Sequence, residues 1–105
     1  MISPEEVARI IKKHYPDAMV LLFGSRARGD HLTTSDIDLI VVSAKFKGVE
    51  FVKRPVQVLK TLYQEGVRAP LDILCYTPEE FKKKRNEIGI VREALRTGII
   101  LAKQK

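Results

Sequence analysis

Two aspartates one residue apart, Asp36 and Asp38, open an apolar run that continues to Val42. Ten residues separate them from a Gly24-Ser25 pair, which itself follows the apolar run Ala18 to Phe23. Runs of this length, bounded by turn-forming residues, suit buried strands. Side chains alternate along a strand, so Asp36 and Asp38 project from one face, about 7 Å apart, while Ile37, Leu39 and Val41 take the other. The fold must therefore let one strand deliver a small flexible turn and let the next begin with two carboxylates. Held that close in an apolar strand, the carboxylates repel each other, and a hard divalent cation relieves the repulsion. Mg²⁺ in turn prefers to share its shell with substrate phosphates, and the Gly24-Ser25 turn offers them a place.

The rest of the chain supplies elements to hold this arrangement. Ser3-Pro4-Glu5-Glu6 reads as a capping box opening a helix with Val7, Ile10 and Ile11 on its apolar stripe, ended by Pro16. A short helix is expected to begin over 26–30, with its free N–H groups facing a bound phosphate. The segment from Val49 to Glu65 reads as a helix with Val52, Val56, Leu59, Leu62 and Tyr63 on one side, kinked or restarted at Pro55. Leu71 to Tyr76 is a third strand with Asp72, Leu74 and Tyr76 on one face. A second capping box, Thr77-Pro78-Glu79-Glu80, starts a helix to about Asn86; Gly89 interrupts, a helix resumes from Ile90 to Thr97, and Ile99 to Leu101 forms a final edge strand. The order is α-β-α-β-α-β-α-α-β: an α/β (α+β) domain of three to four strands in one mixed sheet packed with helices.

The Gly-Ser pair, the Asp-x-Asp after ten residues and a third Asp on a later strand resemble the DNA polymerase β-like nucleotidyltransferase superfamily. The wording Gly24-Ser25-Arg26-Ala27-Arg28-Gly29 and Ser35-Asp36-Ile37-Asp38-Leu39 resembles the minimal nucleotidyltransferases (MNT) of bacteria and archaea. The resemblance runs from Ala18 to Leu101 and implies one catalytic domain over residues 1–105. It implies that Asp36, Asp38 and Asp72 are catalytic and bind metal, two Mg²⁺ ions, with Asp72 also able to take the nucleophile's proton. Gly24, Ser25, Arg28 and Arg26 would bind the triphosphate of ATP or another nucleoside triphosphate. Larger superfamily members carry a helical domain for base and acceptor, and none is expected here. MNT proteins are paired with a HEPN-domain protein, often a toxin ribonuclease. The resemblance therefore implies an antitoxin that transfers AMP to a partner's hydroxyl. The alternatives are an interaction subunit that masks the partner without catalysis, or nucleotidyl transfer to a small molecule or an RNA end.

Composition narrows the remaining classes. At 105 residues the chain forms one modest core. No apolar run approaches a membrane span of about 20 residues, and no signal segment is evident, so a cytoplasmic location and no membrane partner are expected. A lone cysteine, Cys75, reads as a small buried hydrophobe. The net charge of +6 is concentrated in Lys82-Lys83-Lys84-Arg85 and the C-terminal lysines. It reads as solvated helix surface, and direct nucleic-acid binding is not the expected role. His14 reads as a partner of its helix end, His31 as a loop residue and Arg54 as a surface residue. An apolar patch where the second domain is missing would serve homo- or hetero-oligomerisation.

Overall fold

The computed structural model describes residues 2–24, 27, 29 and 36–103. Ser25, Arg26, Arg28, His31 and most of the helix expected over 26–30 lie outside the described residues. Among those described, helix α1 (Pro4–His14) leads into strand β1 (Met19–Phe23), followed by β2 (Ile37–Val42). Two 3₁₀ turns (Ala44–Phe46 and Phe51–Lys53) precede helix α2 (Arg54–Gln64). Strand β3 (Leu71–Tyr76), helices α3 (Pro78–Lys84) and α4 (Ile90–Thr97), and strand β4 (Ile99–Ala102) complete the order. The sheet runs β3-β2-β1-β4, with β1 antiparallel to β2 and β4, and β2 parallel to β3. This is the small mixed sheet expected from sequence, and β4 is indeed its edge.

Both faces of the sheet are covered, unequally. On one face Leu22, Leu39 and Ile73 form one row and Val20, Val41 and Cys75 the next. Val7, Ala8 and Ile11 of α1, Val58 and Leu62 of α2, and Phe46 close over them. The opposite face carries the rows Leu21, Ile40, Leu74 and Met19, Val42, Tyr76, beneath Phe81 of α3 and Val91 and Ala94 of α4. Those two short helices do not extend the apolar cover to the row beyond Leu21, and that row is where the acids lie. Gly98 lets α4 come this close. A Cβ there would overlap the Ala94 carbonyl and stand 2.6 Å from the Leu22 carbonyl oxygen.

Several local expectations change. Ser3 caps α1 by accepting from the Glu6 N–H, but the Glu6 carboxylate takes the Ser3 hydroxyl instead of a backbone N–H, so the box is not reciprocal. The box at Thr77 is complete. The helix expected from Val49 starts only at Arg54, with Pro55 in its first turn, where a missing N–H costs nothing. Its buried face is Arg54, Val58 and Leu62; of the expected stripe only Leu62 is buried.

Arg54 is the larger correction: it is 5% exposed, not a surface residue. Its guanidinium donates to the Glu80 carboxylate at 2.5 and 3.2 Å, to the Val49 carbonyl at 2.8 Å and to the Cys75 carbonyl at 3.3 Å. One buried cation thus ties α2 to β3 and α3, and its hydrogen bonds hold the Glu80 carboxyl below the usual range. Cys75 is fully buried, and desolvation pushes its thiol up to about 12, so it is an inert core residue as expected. His14 Nε2 donates to the Glu65 carboxylate across 2.6 Å, joining the ends of α1 and α2.

Candidate active site

Three strands build the site by register alone. Phe23 pairs with Asp38 across the antiparallel β1–β2 ladder, and Asp38 pairs with Asp72 across the parallel β2–β3 ladder. Residues opposite one another share a face, with neighbouring strands about 4.8 Å apart. Phe23, Asp38 and Asp72 therefore form one transverse row at the end of the sheet beyond the apolar cover of α3 and α4. Asp36 lies one position before β2 and is exposed. The Ile37 N–H donates to the Pro70 carbonyl at 3.0 Å, which fixes the entry of β2 beside that of β3.

Electrostatically the row is unresolved. Burial pushes the Asp38 carboxyl above its usual range, and the negative charges of Asp72 and then Asp36 push it further. Among the described residues no Lys, Arg or His forms an ion pair with any of the three. Nor do the described His, Cys, Asp and Glu side chains gather three-strong into a set that holds a metal ion unaided. The register brings Asp38 and Asp72 together; Asp36 acts on Asp38 less strongly than Asp72 does. Two neighbouring carboxylates suit a cation whose shell is completed by phosphate oxygens, as Mg²⁺ commonly is, better than an all-protein cage.

Gly24 lies directly against this row. It has φ +77°, a conformation that L side chains rarely adopt, and a Cβ on it would overlap Asp38 Oδ2 and stand 3.2 Å from Asp38 Cγ. The backbone after β1 therefore passes directly against the carboxylate, which only glycine permits. Ala27, three positions on, packs against the core. The sequence reading picked out Gly24 for its closeness to phosphate. It missed the contact with Asp38, because that contact depends on the β1–β2 register. It also missed Phe23 as the apolar member of the acid row and Pro70 as the carbonyl that aligns the two strand entries. Strand alternation and the antiparallel β1–β2 pairing were the available signals for Phe23.

A profile of the nucleotidyltransferase domain family matches residues 4–100. No curated protein matches the chain. Among solved structures, a Sulfolobus solfataricus protein assigned as a nucleotidyltransferase is 26% identical with a TM-score of 0.61, over 91% of this chain and 73% of that one. A toxin–antitoxin structure with AMP-PNP is 18% identical at TM-score 0.63, over 98% and 76% of the respective chains, which shows a shared fold. The fold is shared also with a BolA-like protein of Rickettsia prowazekii, 22% identical at TM-score 0.58 over 72% of this chain and 95% of that one. Fold likeness thus spans different proteins, and the profile match together with the acid row carries the chemical argument.

Proposed function

This chain belongs to the nucleotidyltransferase domain family, as a minimal member of the DNA polymerase β-like superfamily, and we propose that it transfers AMP from ATP to a hydroxyl group of a partner protein. The observation that carries the reading is the pairing of Asp38 with Asp72 beside Gly24, in which Asp38 is held ionisable at a cost that a bound cation would remove. Asp36, Asp38 and Asp72 are the residues that would hold Mg²⁺. When bound, Mg²⁺ supplies charge stabilisation for the attacking and leaving oxygens of an in-line displacement.

The chain's own groups do the rest. The turn at Gly24-Ser25, with Arg28 and Arg26, binds the triphosphate through backbone N–H groups, a hydroxyl and charge-assisted hydrogen bonds. Asp72 accepts the proton of the attacking hydroxyl. The hydroxyl oxygen bonds to the α-phosphorus as the bond from that phosphorus to the bridging oxygen breaks, and pyrophosphate leaves with the electron pair. The partner carrying the hydroxyl is a HEPN-domain protein, and the transfer serves as the antitoxin step of a toxin–antitoxin pair. This assignment is supported by the sequence motifs and by the fold shared with a toxin–antitoxin structure.

The test is label transfer. The chain is incubated with α-labelled ATP and Mg²⁺, alone and with the product of its neighbouring gene, and resolved on a denaturing gel. Label on the neighbour that disappears with Asp36→Asn is the expected result. Tight association of the two proteins with no label on either would replace transfer by masking.

A further inference from the structure

Helix α2 has two apolar faces, and the fold uses only one. Val58 and Leu62 are buried against the sheet, whereas Val52, Val56, Leu59 and Tyr63 are 72, 62, 37 and 61% exposed. Their spacing of four, three and four residues places them on a single stripe that begins in the preceding 3₁₀ turn and reaches the last turn of α2, about 16 Å along the axis. Phe51, half exposed and packed on Tyr76 with ring centroids 5.4 Å apart, continues the stripe at its start. Single exposed apolar residues are ordinary, but a row of this length on one helix marks a surface that another molecule covers.

The chemistry of the occupant follows from the flanks. Residues 51–64 contain Lys53, Arg54 and Lys60 and no acid. Arg54 is committed to Glu80, and Lys53 has only an exposed 3.8 Å pairing with Glu50. Helical spacing puts Lys53, Lys60, Gln57 and Gln64 along one side of the stripe. A second copy docked through the same face would bring basic flank towards basic flank, between two chains of net charge +6 each. The backbone groups of α2 are bonded within the helix, so the stripe offers no ladder to an added strand, only side-chain ridges to another helix. We propose that this stripe docks an amphipathic helix of a partner protein, with apolar residues at three- and four-residue spacing and Asp or Glu along its flank.

This goes beyond transfer, because docking does not require the reaction. α2 packs on the Leu22, Leu39 and Ile73 face of the sheet, opposite the acid row, so the stripe is a separate surface from the candidate active site.

The experiment uses the ¹⁵N-labelled full chain and two stapled helical peptides with the same Leu face, one flanked by Glu and one by Lys. The Glu-flanked peptide should shift the amide resonances of residues 52–63 saturably and bind about tenfold more tightly than its Lys counterpart. The double variant Val56→Ser/Tyr63→Ser should weaken that binding about tenfold. Both positions are exposed, and the variant removes the stacking of the Arg68 guanidinium 3.7 Å from the Tyr63 ring centroid, so Tm should fall by no more than a few degrees, about 4–8 °C per kcal/mol lost. Equal binding of the two peptides, shifts that map elsewhere, or no saturable binding would overturn the proposal. So would a dimer of the chain alone in sedimentation that the double variant dissociates, since that would assign the stripe to a second copy. None of these outcomes depends on Asp36, Asp38 or Asp72, so failure here leaves the transfer reading standing.

Discussion

Asp17 and Asp38 lie at opposite ends of the same antiparallel strand pair, and the protein treats them in opposite ways. Asp17 accepts the Ser43 hydroxyl and the Ala44 N–H, both at 2.7 Å. Burial raises its pKa, but those bonds and the nearby Lys45 outweigh burial and leave it below the usual carboxylate range. Asp38 is raised by burial, and its neighbours Asp72 and Asp36 add to the effect instead of opposing it. At the far end of the sheet the charges are satisfied, Asp17 by its hydrogen-bond donors and Arg54 by Glu80. At the near end, the described residues leave three acids without an ion pair. Charges that hold a fold are satisfied within it, whereas charges that do chemistry wait for something to arrive.

The contrast can be broken at either end. The largest effect is expected from Asp36→Asn, which should reduce nucleotidyl transfer by about 10²–10³-fold, by analogy with loss of one charge-stabilising group at a reacting centre. Rates of label transfer at saturating ATP measure it, and an unchanged rate would remove Asp36 from the site. Arg54→Met acts at the other end: it leaves Glu80 without its cation and the Val49 and Cys75 carbonyls without a donor. The cost is about 3 kcal/mol, reduced from the fully buried case because Glu80 is half exposed. In a domain of this size that lowers Tm by about 12–20 °C, and a shift within a degree or two would contradict the bridging role.

Gly24→Ala sharpens the comparison. It should lower transfer about 10²-fold by displacing Asp38, at a stability cost of only about 1 kcal/mol for the positive φ; denaturant unfolding and kinetics measured together separate the two. The smallest effects are the pH dependences. Asp17 has a depressed pKa, so its contribution to stability is present above the ordinary Asp value and is lost as pH falls through the depressed one. Asp38 has a raised pKa, so its ionisation costs stability as pH rises through that value. Asp38→Asn should therefore raise Tm at pH 7 without Mg²⁺, with the gain vanishing below about pH 3.9. Asp17→Asn should lower Tm at pH 7, and that loss should shrink in acid.

Much of this was legible in the chain. Short apolar runs between turn residues placed all four strands to within a residue, and alternation put Asp72, Leu74 and Tyr76 on one face, as the register confirms. The α2 segment was misread because it carries two apolar stripes, and periodicity alone does not say which one meets the sheet. The buried stripe includes Arg54, whose charge disguised it; its partner Glu80 lies 26 residues away, and only the tertiary fold brings the two together. Asp17 was overlooked for the same reason, since its donors lie on the far side of β2. The acids of the site were readable because strand spacing is local. Their mutual repulsion was anticipated for Asp36 and Asp38, but the closer partner of Asp38, Asp72, required the parallel pairing of β2 and β3.

The central claim is that the Asp38 row awaits a cation while Asp17 is already satisfied, and carboxyl ¹³C NMR titration with and without Mg²⁺ tests it most directly. Asp38 should titrate above the ordinary Asp midpoint without Mg²⁺ and move down when Mg²⁺ is added, while Asp17 stays low in both. An Asp38 midpoint at or below the ordinary value, or one that Mg²⁺ in the presence of a non-hydrolysable ATP analogue leaves in place, would contradict the account.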